Sequence, residues 1–175
     1  DILITGVGGT GIVTVSALLA TAAKIEGKEV RSLDMTGLAQ KGGAVFSHVR
    51  IASNGSVHTP RIPVAGADVL LGCDLVTAAS EESLAMLNEH SQAVINAHVL
   101  PTADFILGHD ISTHARQRVR RVKKITTHVS QLSADEAVIE RFGDATQSNV
   151  FLLGFAYQQG GLPLAAASIE RAIEL

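Results

Sequence analysis

The amino-acid sequence predicts an α/β fold in which helices cover a mostly parallel sheet, and three observations predict it. Short apolar segments of strand character alternate along the chain with longer helical segments, which is the pattern of a parallel sheet with helical crossovers. The first apolar segment continues directly into the glycine-rich turn TGVGGTG, residues 5–11, and then into a helical segment. The dipeptide Asn54-Gly55 favours one antiparallel hairpin. The expected fold is therefore a Rossmann-like three-layer domain.

Length and composition favour one domain spanning residues 1–175. The chain has 175 residues, of which 46% are hydrophobic and 18% charged, and this is enough for one buried core. Its first residues already have strand character, so we expect a fragment or a subunit of a larger protein.

Charge and cysteine usage exclude several classes of partner. The net charge of −3 gives no overall attraction to nucleic acid or to an anionic membrane. No apolar run approaches the roughly 20 residues that a membrane span requires. The single cysteine, Cys73, has no partner for an internal disulfide, which is typical of a reducing compartment. We therefore expect a cytoplasmic protein that binds neither nucleic acid nor membrane.

The first half of the chain predicts five strands and two helices. Apolar runs, alternation and turn residues define them. The predicted strands are 2–5, 28–34, 44–52, 56–59, as the antiparallel return from Asn54-Gly55, and 68–72; the predicted helices are 12–26 and 75–88.

The second half continues the alternation with less regularity. A short buried strand is predicted at 93–96 and a β-branched strand at 125–129. The basic run HARQRVRRVKK, residues 114–124, predicts a short exposed helix whose charges face solvent. Ser133 and the acidic residues after it predict a helix start. The last three helices are expected at 134–142, 149–159 and 164–175.

The glycine-rich turn is the first candidate binding site. Gly6, Gly8 and Gly11 match G-x-G-x-x-G between a strand and a helix, where backbone amides and the helix dipole can hold a phosphate. Gly9 and Thr10 lie in the same turn, and Asp34 follows at the end of the next strand, where an NAD-binding domain places its ribose-binding acid. The same glycines could instead pack a helix tightly against the sheet, so the motif predicts the fold better than the ligand.

A second glycine-containing loop follows Asp34 and carries polar and basic residues. Parallel strands place their carboxyl ends at one edge, so we expect this loop to share a crevice with the first. Arg50 is the better phosphate ligand, and a regular strand would put it on the same face as His48. The candidate residues of this segment are Gln40, Lys41, Gly42, Gly43, Ser47, His48 and Arg50.

Longer strings resemble a known family along essentially the whole chain. They are GVGGTGIVTVSALLATAA, LDMTGLAQKGGAVFSHVRIA, LPTADF and NVFLLGFAYQQGGLPLAAASIERAIEL. They are similar to the gamma-type domain of thiamine-diphosphate-dependent 2-oxoacid:ferredoxin oxidoreductases, and most similar to the fused indolepyruvate ferredoxin oxidoreductases. The two glycine segments above match the two glycine motifs of that family, although the resemblance does not assign individual chemical roles.

The resemblance implies an enzyme that oxidatively decarboxylates 2-oxoacids such as indolepyruvate and transfers the acyl group to coenzyme A. It implies thiamine diphosphate, Mg²⁺ and [4Fe-4S] clusters on other domains or subunits, ferredoxin as electron acceptor, and an oligomeric assembly. This chain would position coenzyme A without being catalytic itself. One cysteine cannot hold a cluster, and no GDG-type thiamine motif is present.

Two other readings remain open at the sequence level. An NAD-linked Rossmann oxidoreductase is favoured by Asp34 but lacks a visible acid–base set. A non-binding assembly module would use the glycines for packing alone. Cys73 is more typical of a packed residue than of a nucleophile, and the histidines show no metal-ligand spacing.

Overall fold

The structure is a computed structural model that describes residues 1–36, 43–52, 55–97 and 111–175. In this part of the chain strands and helices alternate as predicted. The strands are β1 (Ile2–Val7), β2 (Glu29–Thr36), β3 (Ala44–Ala52), β4 (Val69–Gly72), β5 (Gln92–Asn96) and β6 (Val129–Leu132). The helices are α1 (Ile12–Ile25), α2 (Leu75–Ala78), α3 (Glu81–Met86), α4 (Ile111–Lys123), α5 (Ala134–Phe142), α6 (Ser148–Gln158) and α7 (Ala166–Ile173).

The six strands form one sheet in the order β2-β3-β1-β4-β5-β6. The β1–β4, β4–β5 and β5–β6 pairs are parallel. β3 runs antiparallel to both β1 and β2, so β2 points in the same direction as β1. This confirms the predicted α/β class with a mostly parallel sheet.

Helices cover both faces of the sheet, which gives the expected three layers. On one face Ile2 and Ile4 belong to a core with α1, α6 and α7. On the other face Leu3 belongs to a core with α2, α3 and α4. Successive residues of β1 thus alternate between two apolar layers, and Ile2, Leu3 and Ile4 form a continuous apolar run because both faces of the strand are buried.

Glycines with positive φ lie at both ends of α1. Gly11 (φ +89°) is the N-cap residue of α1. At the other end Gly27 (φ +70°) stops the helix, and the Gly27 and Lys28 amides donate to the carbonyls of Lys24 and Ala23. This is a Schellman arrangement, which needs a left-handed residue after the last turn.

The predicted hairpin strand at 56–59 is wrong. Residues 55–59 have no strand conformation, and the antiparallel element is β3 itself. β3 already pairs with β1 on one side and with β2 on the other, so neither of its edges is available to a returning strand. Asn54 lies outside the described residues.

Two further boundaries differ from the prediction. The expected strand at 125–129 begins instead at Val129, because the amides of Ile125 and Thr126 still donate to Val122 at the end of α4. The expected helix at 75–88 is two helices, because the Ser80 hydroxyl accepts from the Ser83 amide and starts a new one.

The basic helix α4 packs through one apolar side. Val122 is fully buried in the core shared with α2 and α3, and Val119 packs against it. Arg120, Arg121 and Lys123 are exposed, as expected for a solvated charged face. None of the helices in the described part has both the length and the apolar character needed to cross a membrane.

Candidate functional site

A cleft of about 540 Å³ opens at the carboxyl ends of β1, β4 and β5. β1 has β3 on one side and β4 on the other, so the strand order changes direction at β1. Open α/β sheets bind their ligands at such a topological switch point. The volume lies in the range of small-molecule sites. The cleft is lined by Val7, Gly9, Thr10, Gly11, Thr14, Val15, Cys73, Asp74, Asn96, Asp135, Ala145, Thr146, Ser148, Asn149 and Val150.

The glycine turn forms one end of this cleft with its backbone. Gly9 and Gly11 have φ values of +87° and +89°, and the Thr10 hydroxyl donates to the Val7 carbonyl at 2.7 Å. The amides of Gly9, Gly11 and residues 12–14 donate to no carbonyl within the described residues. They form the positive end of the α1 dipole, which suits an anion without any basic side chain.

The other two glycines of the motif have packing roles. A Cβ added to Gly6 would lie 2.3 Å from Ile12 Cδ1, so Gly6 lets α1 pack closely on the sheet. The Gly8 amide donates to the Gly43 carbonyl at 2.8 Å. The two glycine segments therefore meet, but this contact occupies the Gly8 amide and leaves the later amides of the turn to a ligand.

The part of the cleft at the carboxyl ends of β4 and β5 is acidic and internally hydrogen-bonded. Asn96, at the end of β5, donates to Asp135 Oδ2 at 2.5 Å and accepts from the Ala134 amide at 3.1 Å. Asp74 caps α2 by accepting from the Thr77 amide and hydroxyl. Two carboxylates on this side repel an anion, so a phosphate is favoured at the glycine end.

Cys73 lies in this part of the cleft but lacks the features of a nucleophile. Burial raises the pKa of its thiol far above the ordinary value, and the charges of Asp74 and Asp135 raise it further. The thiolate is the reactive form of cysteine, so Cys73 serves as a small packed side chain.

The structure corrects the predicted position of Arg50. β3 runs antiparallel to β1, so residues after Gly43 run away from the cleft, and Arg50 lies beyond the Ile2–Val49 pair at the far edge of the sheet. Seven strand residues of about 3.4 Å each place it roughly 23 Å from Gly43. There its guanidinium binds the Asp1 carboxylate with Nε at 2.7 Å from Oδ1.

Asp34 is likewise absent from the cleft. β3 lies between β2 and β1, and through Ser47 Asp34 is in register with Ile4. Asp34 is therefore two strand spacings, about 10 Å, to the side of Ile4, before the glycine turn begins. Its carboxylate accepts from the Ser47 hydroxyl, which gives both residues a local role. In an NAD-binding domain the strand that carries this acid lies directly beside the strand that precedes the glycine turn. Gln40, Lys41 and Gly42 lie outside the described residues.

His48 is buried within the second core rather than facing the cleft. It is fully buried, and its Nδ1 accepts from the Ile62 amide at 3.2 Å. Nε2 has no hydrogen-bond partner in the described part of the chain. Burial lowers the pKa of His48 below its usual 6.5, and the charge of Arg61 lowers it further. A neutral ring with its proton on Nε2 fits this environment.

His48 is expected to make stability depend on pH. In the unfolded chain it binds a proton near pH 6.5, whereas the lowered pKa keeps it neutral when folded, so the unfolded state takes up more protons as pH falls. The free energy of unfolding should decrease as the pH falls below about 6.5. In His48→Asn it should depend less on pH in this range. Urea unfolding between pH 8 and 5 measures this. An equal pH dependence of the free energy of unfolding in the parent and in His48→Asn would contradict this prediction. His58→Asn, at an exposed position, is the control.

Sequence reasoning missed several lining residues. Asn96, Asp135, Thr146 and Ser148 line the cleft although they belong to no recognised motif. Asn96 ends a predicted strand, and Ser148 lies next to the predicted start of a helix, so position at a carboxyl edge was the available signal. That signal identifies a residue only once the strand order is known.

The fold and the cleft define a class: a Rossmann-like domain with a cleft at the carboxyl edge of its sheet, rimmed by backbone amides that have no acceptor in the described residues. The whole chain, residues 1–175, matches the family model described as pyruvate ferredoxin/flavodoxin oxidoreductase. The chain belongs to this family and is a component of an oxidoreductase. The resemblance found in the sequence is thereby confirmed.

One curated relative and two solved structures are similar to the chain. It is 30% identical over 173 residues to indolepyruvate oxidoreductase subunit IorB of Archaeoglobus fulgidus, covering 99% of this chain and 83% of that protein. The pyruvate oxidoreductase subunit PORC of Thermotoga maritima shares the fold with a TM-score of 0.64 at 22% identity, covering 99% of this chain and 82% of that one. A 2-oxoglutarate:ferredoxin oxidoreductase from Magnetococcus marinus, solved with coenzyme A bound, gives a TM-score of 0.70 at 18% identity, covering 98% of this chain and 26% of that one.

Proposed function

We propose that this chain is the gamma component of an indolepyruvate-type 2-oxoacid:ferredoxin oxidoreductase and that its cleft binds the nucleotide end of coenzyme A. The observation that carries the proposal is the glycine end of the cleft, where the Gly9, Gly11 and first α1 amides have no acceptor in the described residues. Coenzyme A in the related enzyme from Magnetococcus marinus supports the choice of ligand.

The charges of the cleft orient the proposed ligand. Its phosphates lie at the free amides of α1, and Asp74 and Asp135, which line the same cleft, repel phosphates and accept hydrogen bonds from hydroxyl or amine groups. With the nucleotide held, the flexible arm that carries the thiol points away from this domain toward the subunit where the acyl group is made. The contribution of the chain is to position coenzyme A.

The redox and decarboxylation chemistry is proposed to lie on partner domains or subunits. Thiamine diphosphate with Mg²⁺ supplies the decarboxylation chemistry there, and [4Fe-4S] clusters carry electrons to ferredoxin. The single Cys73 is buried and does not fit a cluster site, which requires several thiolates. Phe142 and Phe151 are 61% and 42% exposed and are proposed to face partner subunits of a cytoplasmic assembly.

The geometry disfavours the NAD-linked alternative. A dinucleotide domain holds its ribose hydroxyls with an acid on the strand next to the glycine turn. Here that neighbour is the antiparallel β3, and Asp34 is engaged by Ser47. The proposal therefore assigns the anion site of the cleft to coenzyme A rather than to NAD.

The substrate part of the proposal is tested on the complete enzyme. We expect ferredoxin reduction that depends on coenzyme A, with kcat/KM for indolepyruvate or phenylpyruvate at least about tenfold above that for pyruvate or 2-oxoglutarate. Initial rates with each oxoacid, with and without coenzyme A, measure this. A preference for pyruvate would contradict the aryl-pyruvate assignment, and rates independent of coenzyme A would contradict the role of the cleft.

A further inference from the structure

The helices on one face of the sheet present an outer surface with almost no charge. Helices α1, α6 and α7 pack on this face, and α5 packs beside α6. No charged residue occurs between Asp1 and Lys24, or between Asp144 and Glu170. All of α6, and α1 as far as its last turn, are therefore uncharged.

The large apolar side chains that are exposed are concentrated on the same helices. In the described part of the chain, all of them except Val64 lie on α1, α5, α6 or α7, or directly after α7. They are Val13, Ile25, Ile139, Phe142, Phe151, Ile173 and Leu175.

The helices on the other face of the sheet show the usual pattern. A surface helix normally directs charged side chains to solvent, and α4 does so with Arg120, Arg121 and Lys123. The lack of charge is thus a property of one layer and not of the whole surface. Exposed apolar patches mark interaction sites, and charged residues are depleted at the centre of protein interfaces.

Part of this layer adjoins the cleft. Val150 and Thr14 line the cleft, and the exposed Phe151 and Val13 are their neighbours in sequence. We call the group formed by Val13, Ile139, Phe142 and Phe151 the apolar surface. A protein that covers it lies beside the cleft.

We propose that the apolar surface docks an uncharged, apolar face of another subunit of the same oxidoreductase, while α4 remains in solvent on the opposite side. The choice of occupant rests on the proposed function, in which this chain is one component of a larger enzyme. The docked face must itself lack charge, because a carboxylate or ammonium group buried against these side chains would have no counter-charge.

A second copy of this chain fits the surface less well. A two-fold contact uses the same surface on both copies, so it would bring two clefts together. In the proposed function the thiol arm of coenzyme A leaves the cleft toward the subunit where the acyl group is made. A different subunit on the apolar surface is placed to meet that arm.

The test compares Phe151→Glu with Val64→Glu in the intact enzyme. Phe151 is 42% exposed on the apolar surface, whereas Val64 is 79% exposed and lies outside the helices of this layer. Sedimentation velocity over a dilution series measures how tightly the other subunits hold the chain. We expect Phe151→Glu to weaken this association about thirtyfold or more, because the interface would bury an unpaired carboxylate in place of an aromatic ring. Val64→Glu should assemble as the parent does.

Phe142→Glu is the second variant on the apolar surface and should behave like Phe151→Glu. All three substitutions replace exposed side chains, so the variants should fold, and urea unfolding of the chain checks this. Assembly of both phenylalanine variants at the affinity of the parent would overturn the docking surface. Equal weakening in Val64→Glu would also overturn it, because the effect would then not depend on this surface.

The occupant is tested in the same sedimentation runs. A parent chain that holds no other subunit, but forms dimers that Phe151→Glu dissociates, would assign the surface to a second copy and overturn the proposed partner. A parent chain that associates with nothing would overturn the surface as well. Coenzyme A is absent from these runs, so a cleft that failed to bind it would contradict the proposed function without changing their outcome.

Discussion

Replacing Gly11 with valine is expected to lower the affinity of the chain for coenzyme A by about a hundredfold or more, corresponding to at least about 2.7 kcal/mol. Gly11 has a φ of +89° and is the N-cap of α1. A β-branched residue is strongly disfavoured in that conformation, so the turn must rearrange. A Cβ at this position would lie 3.8 Å from Asn149 Nδ2, and both residues line the cleft, so the added side chain changes the lining of the cleft itself. Titration with coenzyme A measures the loss.

Gly27→Val is the matched control for that experiment. Gly27 also has a positive φ, +70°, and within the described residues no neighbouring atom lies within 4 Å of its added Cβ. Gly27 ends α1 at the edge of the sheet opposite the cleft. Gly27→Val should therefore lose roughly 1–3 kcal/mol of folding stability through backbone strain while it binds coenzyme A normally. If both variants lost affinity equally, strain rather than the cleft would explain the effect of Gly11→Val.

Truncation of Leu152 to alanine is expected to cause the largest loss in the free energy of unfolding. Leu152 lies on α6, is fully buried, and belongs to the core formed with α1 and the sheet. Leu152→Ala removes buried methyl groups and leaves a cavity, which costs about 2–5 kcal/mol. That is a large part of the roughly 5–15 kcal/mol that stabilises a typical domain. Urea unfolding monitored by circular dichroism measures the difference.

The neighbouring Phe151 provides the comparison. Its side chain is 42% exposed, so Phe151→Ala removes an aromatic ring that is only partly buried. We expect a loss of less than about 1 kcal/mol, in keeping with most surface substitutions. A larger loss from Phe151→Ala than from Leu152→Ala would mean that the buried face of α6 is assigned incorrectly.

The sequence allowed much of the fold to be predicted where the signals are local. Ile2, Leu3 and Ile4 form a short apolar run, and the glycines after them can adopt the positive φ values that the turn needs. β3 was located at its observed bounds because its alternation is regular. Its place between β2 and β1 was not predicted, because strand pairing depends on contacts distant in sequence, which no local pattern encodes.

The same limitation explains the errors at the site. Arg50 and His48 are two residues apart on one strand, as the sequence indicates, but the direction of that strand sends Arg50 to the far edge of the sheet. Asn96, Asp135 and Ser148 come together only through the strand order and the packing of α5 and α6. The glycine turn was identifiable because its whole pattern lies within seven consecutive residues.

The most direct test is calorimetric titration of the full chain with coenzyme A, dephospho-coenzyme A and NADH in parallel. The account predicts saturable binding of coenzyme A and of dephospho-coenzyme A. NADH also carries a diphosphate, but no comparable binding is expected, because β3 separates Asp34 from the glycine turn and Ser47 engages its carboxylate. Tighter binding of NADH would contradict it in favour of a dinucleotide domain. No heat with any of the three would contradict it in favour of a domain whose glycines serve packing alone.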